Sequence, residues 1–227
     1  MRIALHGHGR MGQAVERVAL ERSHEVVAVF DRQRKADASA MNGAEVIIDF
    51  SHASAVKDSI EIAVKSGANL VIGTTGWTPS LIEVRTQCEK SGISVVHASN
   101  FSVGANVLFT LARQAARLFA RFDDFDAGIE ERHHSKKKDS PSGTAARISD
   151  IVVEASNGKL SPTIASSRVG REYGLHTLFF DSPDDLVEIS HRARSREGFA
   201  RGAVLAAELL TSHEKGFYSF EELLSLE

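Results

Sequence analysis

The sequence predicts an α/β protein in which a parallel-sheet domain carries an inserted α+β domain. Three observations lead there. Short apolar runs alternate with amphipathic ones through the first hundred residues, as βαβ units do. The first of these runs ends in a G-x-G-x-x-G turn. After Asn100 strand-like runs bunch together, the texture of a mixed or antiparallel sheet.

Taken in order, "RIALHG" reads as a buried strand and "MGQAVERVALERS" as a helix with Ala14, Val15, Val18 and Ala19 on one face. "EVVAVFD" and "AEVIIDFS" are strands, and the polar linker between Asp31 and Ala44 leaves room only for a truncated crossover helix. There follow "ASAVKDSIEIAVKSG" (helix), "ANLVIGTT" (strand), "TPSLIEVRTQCEKSG" (helix) and "ISVVHASN" (strand). Helices that end in Ser-Gly before β-branched runs fit a parallel sheet. Next comes a long amphipathic helix, "GANVLFTLARQAARLFARF", with Val107, Leu111, Ala115, Leu118 and Phe122 on one stripe. "FDAGIEERHH" (strand), a loop, "SGTAARISDIVVEAS" (helix) and the strands "TIASSRV", "LHTLFF" and "LVEISHRA" make the second domain. After the helix "FARGAVLAAELL", the amphipathic tail "KGFYSFEELLSLE" is expected to pack back on the first domain. The expected division is 1–101 with 206–227, and 102–205.

Composition narrows the functional classes. A net charge of −3 gives no reason to expect nucleic acid or an anionic membrane. The single cysteine, Cys88, rules out an internal disulfide framework, fits a reducing compartment and reads as a packing residue of its helix. No signal peptide is visible, and no stretch approaches the roughly 18 apolar residues of a membrane span. A cytoplasmic protein is expected.

Gly7, Gly9 and Gly12 in "GHGRMG" follow a strand and open a helix. Gly7 suits the tight turn, Gly9 lets backbone approach a pyrophosphate, and Gly12 lets the helix pack on the strand, whose N-terminus then faces the phosphates. Asp31 ends the second strand, where a carboxylate holds the ribose hydroxyls of NAD. Arg32, Arg34 and Lys35 follow at once and could hold a 2′-phosphate, so both cofactors are expected to bind. The first domain is therefore expected to be a Rossmann-type dinucleotide-binding domain. The small residues of the turn "GTTGW" at 73–77 either line the nicotinamide side of the crevice or belong to an ordinary strand–helix turn.

The loop "HHSKKKDSPSGTA" concentrates cations before a helix start. Pro141 biases Ser140 to extended backbone, and Ser142 is a good N-cap. The N–H groups around Gly143 and Thr144 can then take a carboxylate. His133 and Lys137, four residues apart, supply an acid and a cation beside that nest. A solvated basic turn is the bland alternative; the double histidine with the anion nest favours a site.

"GHGRMG", "GTTG", "SNFSVGAN", "ERHHSKKKDSPSGTA", "FARGA" and "GFYSFEELL" occur in this order and span nearly the whole chain. Together they resemble the 4-hydroxy-tetrahydrodipicolinate reductase (dihydrodipicolinate reductase) family of lysine and diaminopimelate biosynthesis. Two departures are the short 32–44 linker and the absence of a Gly-Glu turn before "LVEISH". The resemblance implies that His133 is a proton donor/acceptor and Lys137 a catalytic lysine. It implies substrate contacts at His134, Gly143 and Thr144, with Ser142 in the same nest. It further implies cofactor contacts at Gly7, His8, Gly9, Arg10, Met11 and Gly12, at Asp31 and Arg32, at Gly73, Thr74 and Thr75, and at Ser99, Asn100, Phe101 and Ser102. The implied substrate is a small cyclic dicarboxylate imine, the cofactor NADH or NADPH, and the assembly a homotetramer built through the second domain's sheet.

Two other readings stand against this one. A different NAD(P)-dependent dehydrogenase, acting on an amino acid, would keep "GHGRMG" but has no need of "HHSKKKDSPSGT". A non-catalytic dinucleotide sensor would need an interaction surface that the sequence does not display. A metal on His133 and His134 is not expected, because only Asp139 lies at supporting spacing, and His191 reads as a core or supporting histidine.

Overall fold

The computed structural model describes residues 1–77 and 81–226. The first half runs β1 (Arg2–His6), α1 (Arg10–Glu21), β2 (Glu25–Phe30), β3 (Val46–Asp49), α2 (Val56–Ser66), β4 (Asn69–Ile72), α3 (Leu81–Ser91) and β5 (Val95–His97). There follow α4 (Val103–Phe119), β6 (Asp126–His133), α5 (Gly143–Ala155), β7 (Thr163–Arg168), β8 (Leu175–Asp181) and β9 (Leu186–Arg192). The chain closes with α6 (Glu197–Ser212), β10 (Phe217–Ser219) and α7 (Phe220–Leu223). Two compact units result: Met1–Ser102 with Arg196–Glu227, and Val103–Ser195.

In the first unit six parallel strands lie in the order β10-β5-β4-β3-β1-β2. Period-2 alternation sends their side chains to two cores. Ile3, Leu5, Ile48, Val71 and Val96 face α1 and α6, meeting Val15, Val18, Ala203 and Val204. Ala4, Ile47, Leu70, Ile72 and Val95 face the other way, against Val56, Ile60, Val84 and Cys88. Cys88 is a packing residue, and burial pushes its thiol up to about 11. Between β2 and β3 the linker holds a single 3₁₀ turn, Ala38–Ala40, capped by Asp37.

Two expectations needed correction. The return to the first unit falls at Arg196, earlier than 206, because Ala203, Val204 and Ala207 bury the length of α6 in the first unit's core. The tail also contributes a strand, β10, which pairs with β5. On α4 the expected apolar stripe is the exposed one, with Leu111 and Leu118 at 42% and 55% exposure. The buried face is Leu108, Phe109, Ala112 and Ala116, whose two alanines let α5 approach.

The second unit is a four-stranded mixed sheet, β7-β6-β8-β9, with β6 and β7 parallel and the other pairs antiparallel. Helix α5 is the crossover that the parallel pair requires. Ile129, Leu178, Phe180 and Ile189 pack under α4 and α5. Among the described residues no helix is long and apolar enough to cross a membrane.

One glycine of α6 is fixed by backbone contact. A Cβ on Gly202 would lie 1.6 Å from the Phe101 carbonyl oxygen. Gly202→Ala is therefore expected to destabilise the protein by about 1–3 kcal/mol through overpacking. Urea unfolding measures it, and an unchanged midpoint would refute the close packing.

Candidate functional site

The strand order reverses between β1 and β3, and a groove of about 390 Å³ opens there at the strands' carboxyl ends. Gly7, His8, Gly9, Asp31, Arg32 and the loop Phe50–His52 line it. Gly7 sits at φ +94°, and a Cβ on it would come within 2.4 Å of the Phe50 carbonyl oxygen. A Cβ on Gly12 would meet the Gly7 carbonyl oxygen at 2.0 Å, so α1 starts flush against the turn. Gly9 differs: nothing lies within 4 Å of its Cβ position. No packing contact explains that glycine, whereas close approach by a phosphate does. The groove therefore fits a dinucleotide.

Asp31 accepts from the N–H groups of Gln33 at 2.8 Å and Arg34 at 2.9 Å, both on Oδ1. The Arg34 bond above all, then that of Gln33, holds its carboxyl below the ordinary range. Arg34 folds over the Phe30 ring at 5.6 Å, while Arg32 is exposed and lines the groove. His8 turns to Glu16 at 2.8 Å. Arg10 is exposed at the start of α1, and Met11 packs on the core.

A second groove, about 250 Å³, is lined by Thr74, Thr75, Gly76, Trp77, His97 and Ser99 among others. Gly73 is explained by packing, since a Cβ there would lie 2.2 Å from the Phe50 ring. Thr74 donates its hydroxyl to Asp49 at 2.8 Å. Asp49 is fully buried and also accepts from Ser51 (N–H 2.8 Å, Oγ 2.7 Å) and from Ser59 Oγ, which meets His6 Nδ1 at 2.5 Å. This network ties the ends of β1, β3 and β4 together. Asn100 accepts from the Ser102 N–H at 2.8 Å. Phe101 is a core residue, its ring between Phe50 and Phe220, so only its backbone is left to meet a cofactor.

In the second unit the basic loop runs from the end of β6 into α5. Ser142 caps α5, its Oγ accepting from the Ala145 N–H at 3.2 Å. The same hydroxyl meets His176 Nε2 at 3.1 Å, and Ser142 is only 2% exposed. Ser142 therefore faces inward as the cap of α5. A Cβ on Gly143 would meet nothing within 4 Å. Lys137 pairs with Asp139 at 2.8 Å, and His134 is half-buried.

His133 is 6% exposed and lies against Glu131, its Nδ1 on Oε2. Burial pushes its pKa down, while Glu131 opposes that shift. Burial would raise the Glu131 carboxyl, but hydrogen bonds from Arg168, Ser166 and Ser142 override it and hold the group at about 2. His176 stands opposite Glu131 across the β6–β8 pair, edge-on to His133 with centroids 5.0 Å apart. Burial, then the neighbouring His133, pushes it down to about 4. Glu131, His133 and His176 offer ligand atoms within 4.8 Å of one another. A cation there would share Glu131 with the Arg168 guanidinium, 2.5 Å from Oε1, so the set does not fit a metal.

Sequence reasoning missed Phe50, His52, Trp77 and His97 in the grooves, and Glu131, Arg168 and His176 around His133. Only Glu131 had a signal: it lies two residues before His133 on a strand, hence on the same face.

A family model described as "Dihydrodipicolinate reductase, N-terminus" matches residues 1–101, and one described as "Dihydrodipicolinate reductase, C-terminus" matches residues 104–224. A protein of Christiangramia forsetii named 4-hydroxy-tetrahydrodipicolinate reductase is 37% identical over 236 residues, covering 99% of this chain and 98% of its own. One of the same name from Methanosarcina acetivorans is 41% identical over 81% of this chain and 74% of its own. Among solved structures, a dipicolinate-bound dihydrodipicolinate reductase from Paenisporosarcina sp. TG-14 matches with TM-score 0.83 at 21% identity, covering 98% of both chains. An amine dehydrogenase from Mycobacterium smegmatis matches with TM-score 0.66 at 10% identity, covering 97% of this chain and 95% of its own. These two show the fold alone.

Proposed function

The chain belongs to the dihydrodipicolinate reductase family, and from that premise we propose that it reduces 4-hydroxy-2,3,4,5-tetrahydrodipicolinate to tetrahydrodipicolinate with loss of water, using NADH or NADPH. It is an oxidoreductase of lysine and diaminopimelate biosynthesis, a family that uses a nicotinamide dinucleotide. The observation that carries the substrate assignment is the run from His133 through Lys137 to the capped start of α5, where Gly143 leaves open space.

In this reading the glycine turn, Asp31 and Arg32 hold the dinucleotide's phosphates and adenosine ribose, and Thr74, Thr75 and Ser99 face the nicotinamide end. When bound, the reduced nicotinamide supplies the hydride that the substrate's conjugated ring carbon accepts after water is lost. His133 then gives a proton to the neighbouring carbon of the resulting enamine. Lys137 and the N–H groups around Gly143 and Thr144 hold the substrate carboxylates, with His134 beside them. A positioned acid is worth about 10²–10⁴-fold in rate.

The assembly we propose is a homotetramer built on the second sheet. The face turned away from α4 and α5 bears Leu175, Thr177 and Leu186, and Leu186 and Val169 are 57% and 67% exposed. A groove of about 440 Å³ runs along it between Glu130, Arg132 and Ala165. Light scattering should return four chains, and Leu186→Lys should lower that number; a monomeric wild type overturns the proposal.

Because Asp31 and Arg32 line one groove, both cofactors should bind, with NADH equal or better. Trp77, the only tryptophan, lines the second groove, so its emission should be quenched on titration. NADPH binding more than about tenfold tighter, roughly 1.4 kcal/mol, would overturn the assignment of Asp31.

Substitutions in the loop separate the roles. His133→Gln should lower kcat about 10²-fold with KM little changed, and Lys137→Ala should harm both. Gly143→Val, which meets open space, should fold normally and mainly raise KM for the substrate. Coupled assays with enzyme-made substrate measure all three. Full kcat in His133→Gln would move the acid elsewhere, to His134 first.

A further inference from the structure

Glu131 is a charged group that the chemistry above leaves unused. It stands two residues before His133 on β6, on the same face, and its side chain has no exposed surface. Oε1 collects three donors: Arg168 Nη2 at 2.5 Å, Ser166 Oγ at 2.7 Å and the Ser142 N–H at 3.1 Å. The Arg168 contact is not a two-pronged fork: the same Nη2 that donates to Oε1 also donates to the Asp139 carbonyl at 2.7 Å, while Arg168 Nε stays unpaired. Oε2 is left to His133, which meets it through Nδ1. One carboxylate thus joins the ring of His133, the loop that carries Lys137 and the cap of α5.

We propose that Glu131 is a positioning residue for the reduction. It holds the His133 imidazole by Nδ1, so that Nε2 is the nitrogen that delivers the proton, and it fixes the start of α5 in relation to that ring. The backbone agrees, since Gly174 leaves the space beside Nε2 clear: a Cβ there would stand 3.1 Å from it. This proposal rests on reading His133 as the acid.

The electrostatics have a testable sign. The groups facing His133 are Glu131 on β6, Lys137 in the loop, Arg168 on β7 and His176 on β8; Asp139 pairs with Lys137. Of the groups that act on His133, only Glu131 favours the imidazolium. An acid must be protonated to act, so activity falls as pH rises through its pKa, the alkaline limb of the rate profile. Glu131→Gln removes the favourable charge and should move that limb to lower pH, with kcat down about 10-fold or more. Glu131→Asp keeps the charge and should restore part of both.

Profiles of kcat/KM for wild type, Glu131→Gln, Glu131→Asp and His133→Gln test this. A limb that stays at the wild-type pH in Glu131→Gln but disappears in His133→Gln overturns the role of Glu131 alone. A limb and kcat untouched in His133→Gln overturn the acid assignment itself. A measurement on the unaltered protein covers failure of a variant to fold. ¹⁵N spectra of histidine-labelled enzyme should show neutral His133 with its proton on Nδ1, and a proton on Nε2 overturns the proposal.

Discussion

A carboxylate without exposed surface must find its donors inside the protein or become neutral, and Glu131 finds three on two other segments, with His133 Nδ1 against its remaining oxygen. Arg168 and Ser166 come from β7, Ser142 from the cap of α5, and His133 from β6 itself. Satisfying this one group therefore fixes how β6, β7 and α5 meet at the end of the sheet where the basic loop leaves it. The loop between His133 and Ser142 is anchored at both ends to the same carboxylate. Its cations are presented from a braced frame, although the loop has no regular structure of its own.

The first unit solves a related problem with hydroxyls. Asp49 is buried at the end of β3 and is satisfied by Ser51, Ser59 and Thr74, with His6 behind Ser59. Three strand ends are thereby held at the edge of the crevice. Phe50, the next residue, sets how close the walls come: its backbone excludes any side chain at position 7 and its ring any at position 73. Two of the glycines that look like ligand contacts are thus required by a phenylalanine. Gly9, with open space before it, is the glycine of this turn whose absent side chain no packing contact explains.

Much of this was legible beforehand. Each apolar run became the element expected of it, because strands buried on both faces and helices with one apolar stripe have distinct periods. The cap at Ser142 was also visible, since Ser followed by Gly-Thr-Ala after a proline has a local reason to start a helix. The α4 stripe misled because that helix is apolar on two sides, and periodicity does not say which side finds a partner. The β10 strand was missed because three residues are too short a run to show a period.

The sequence by itself determined the parallel sheet, the glycine turn, the carboxylate after β2 and the cationic loop before a capped helix. All of these depend on residues close together along the chain. Only the tertiary structure decided that Ser142 turns inward, that Phe101 is core, and that His133 stands between Glu131 and His176. Those facts depend on strand pairing and on groups far away along the chain, as with Glu131 and His176, 45 residues apart and opposite each other in register. Side-chain alternation predicts a face, but the register of a neighbouring strand decides what that face meets.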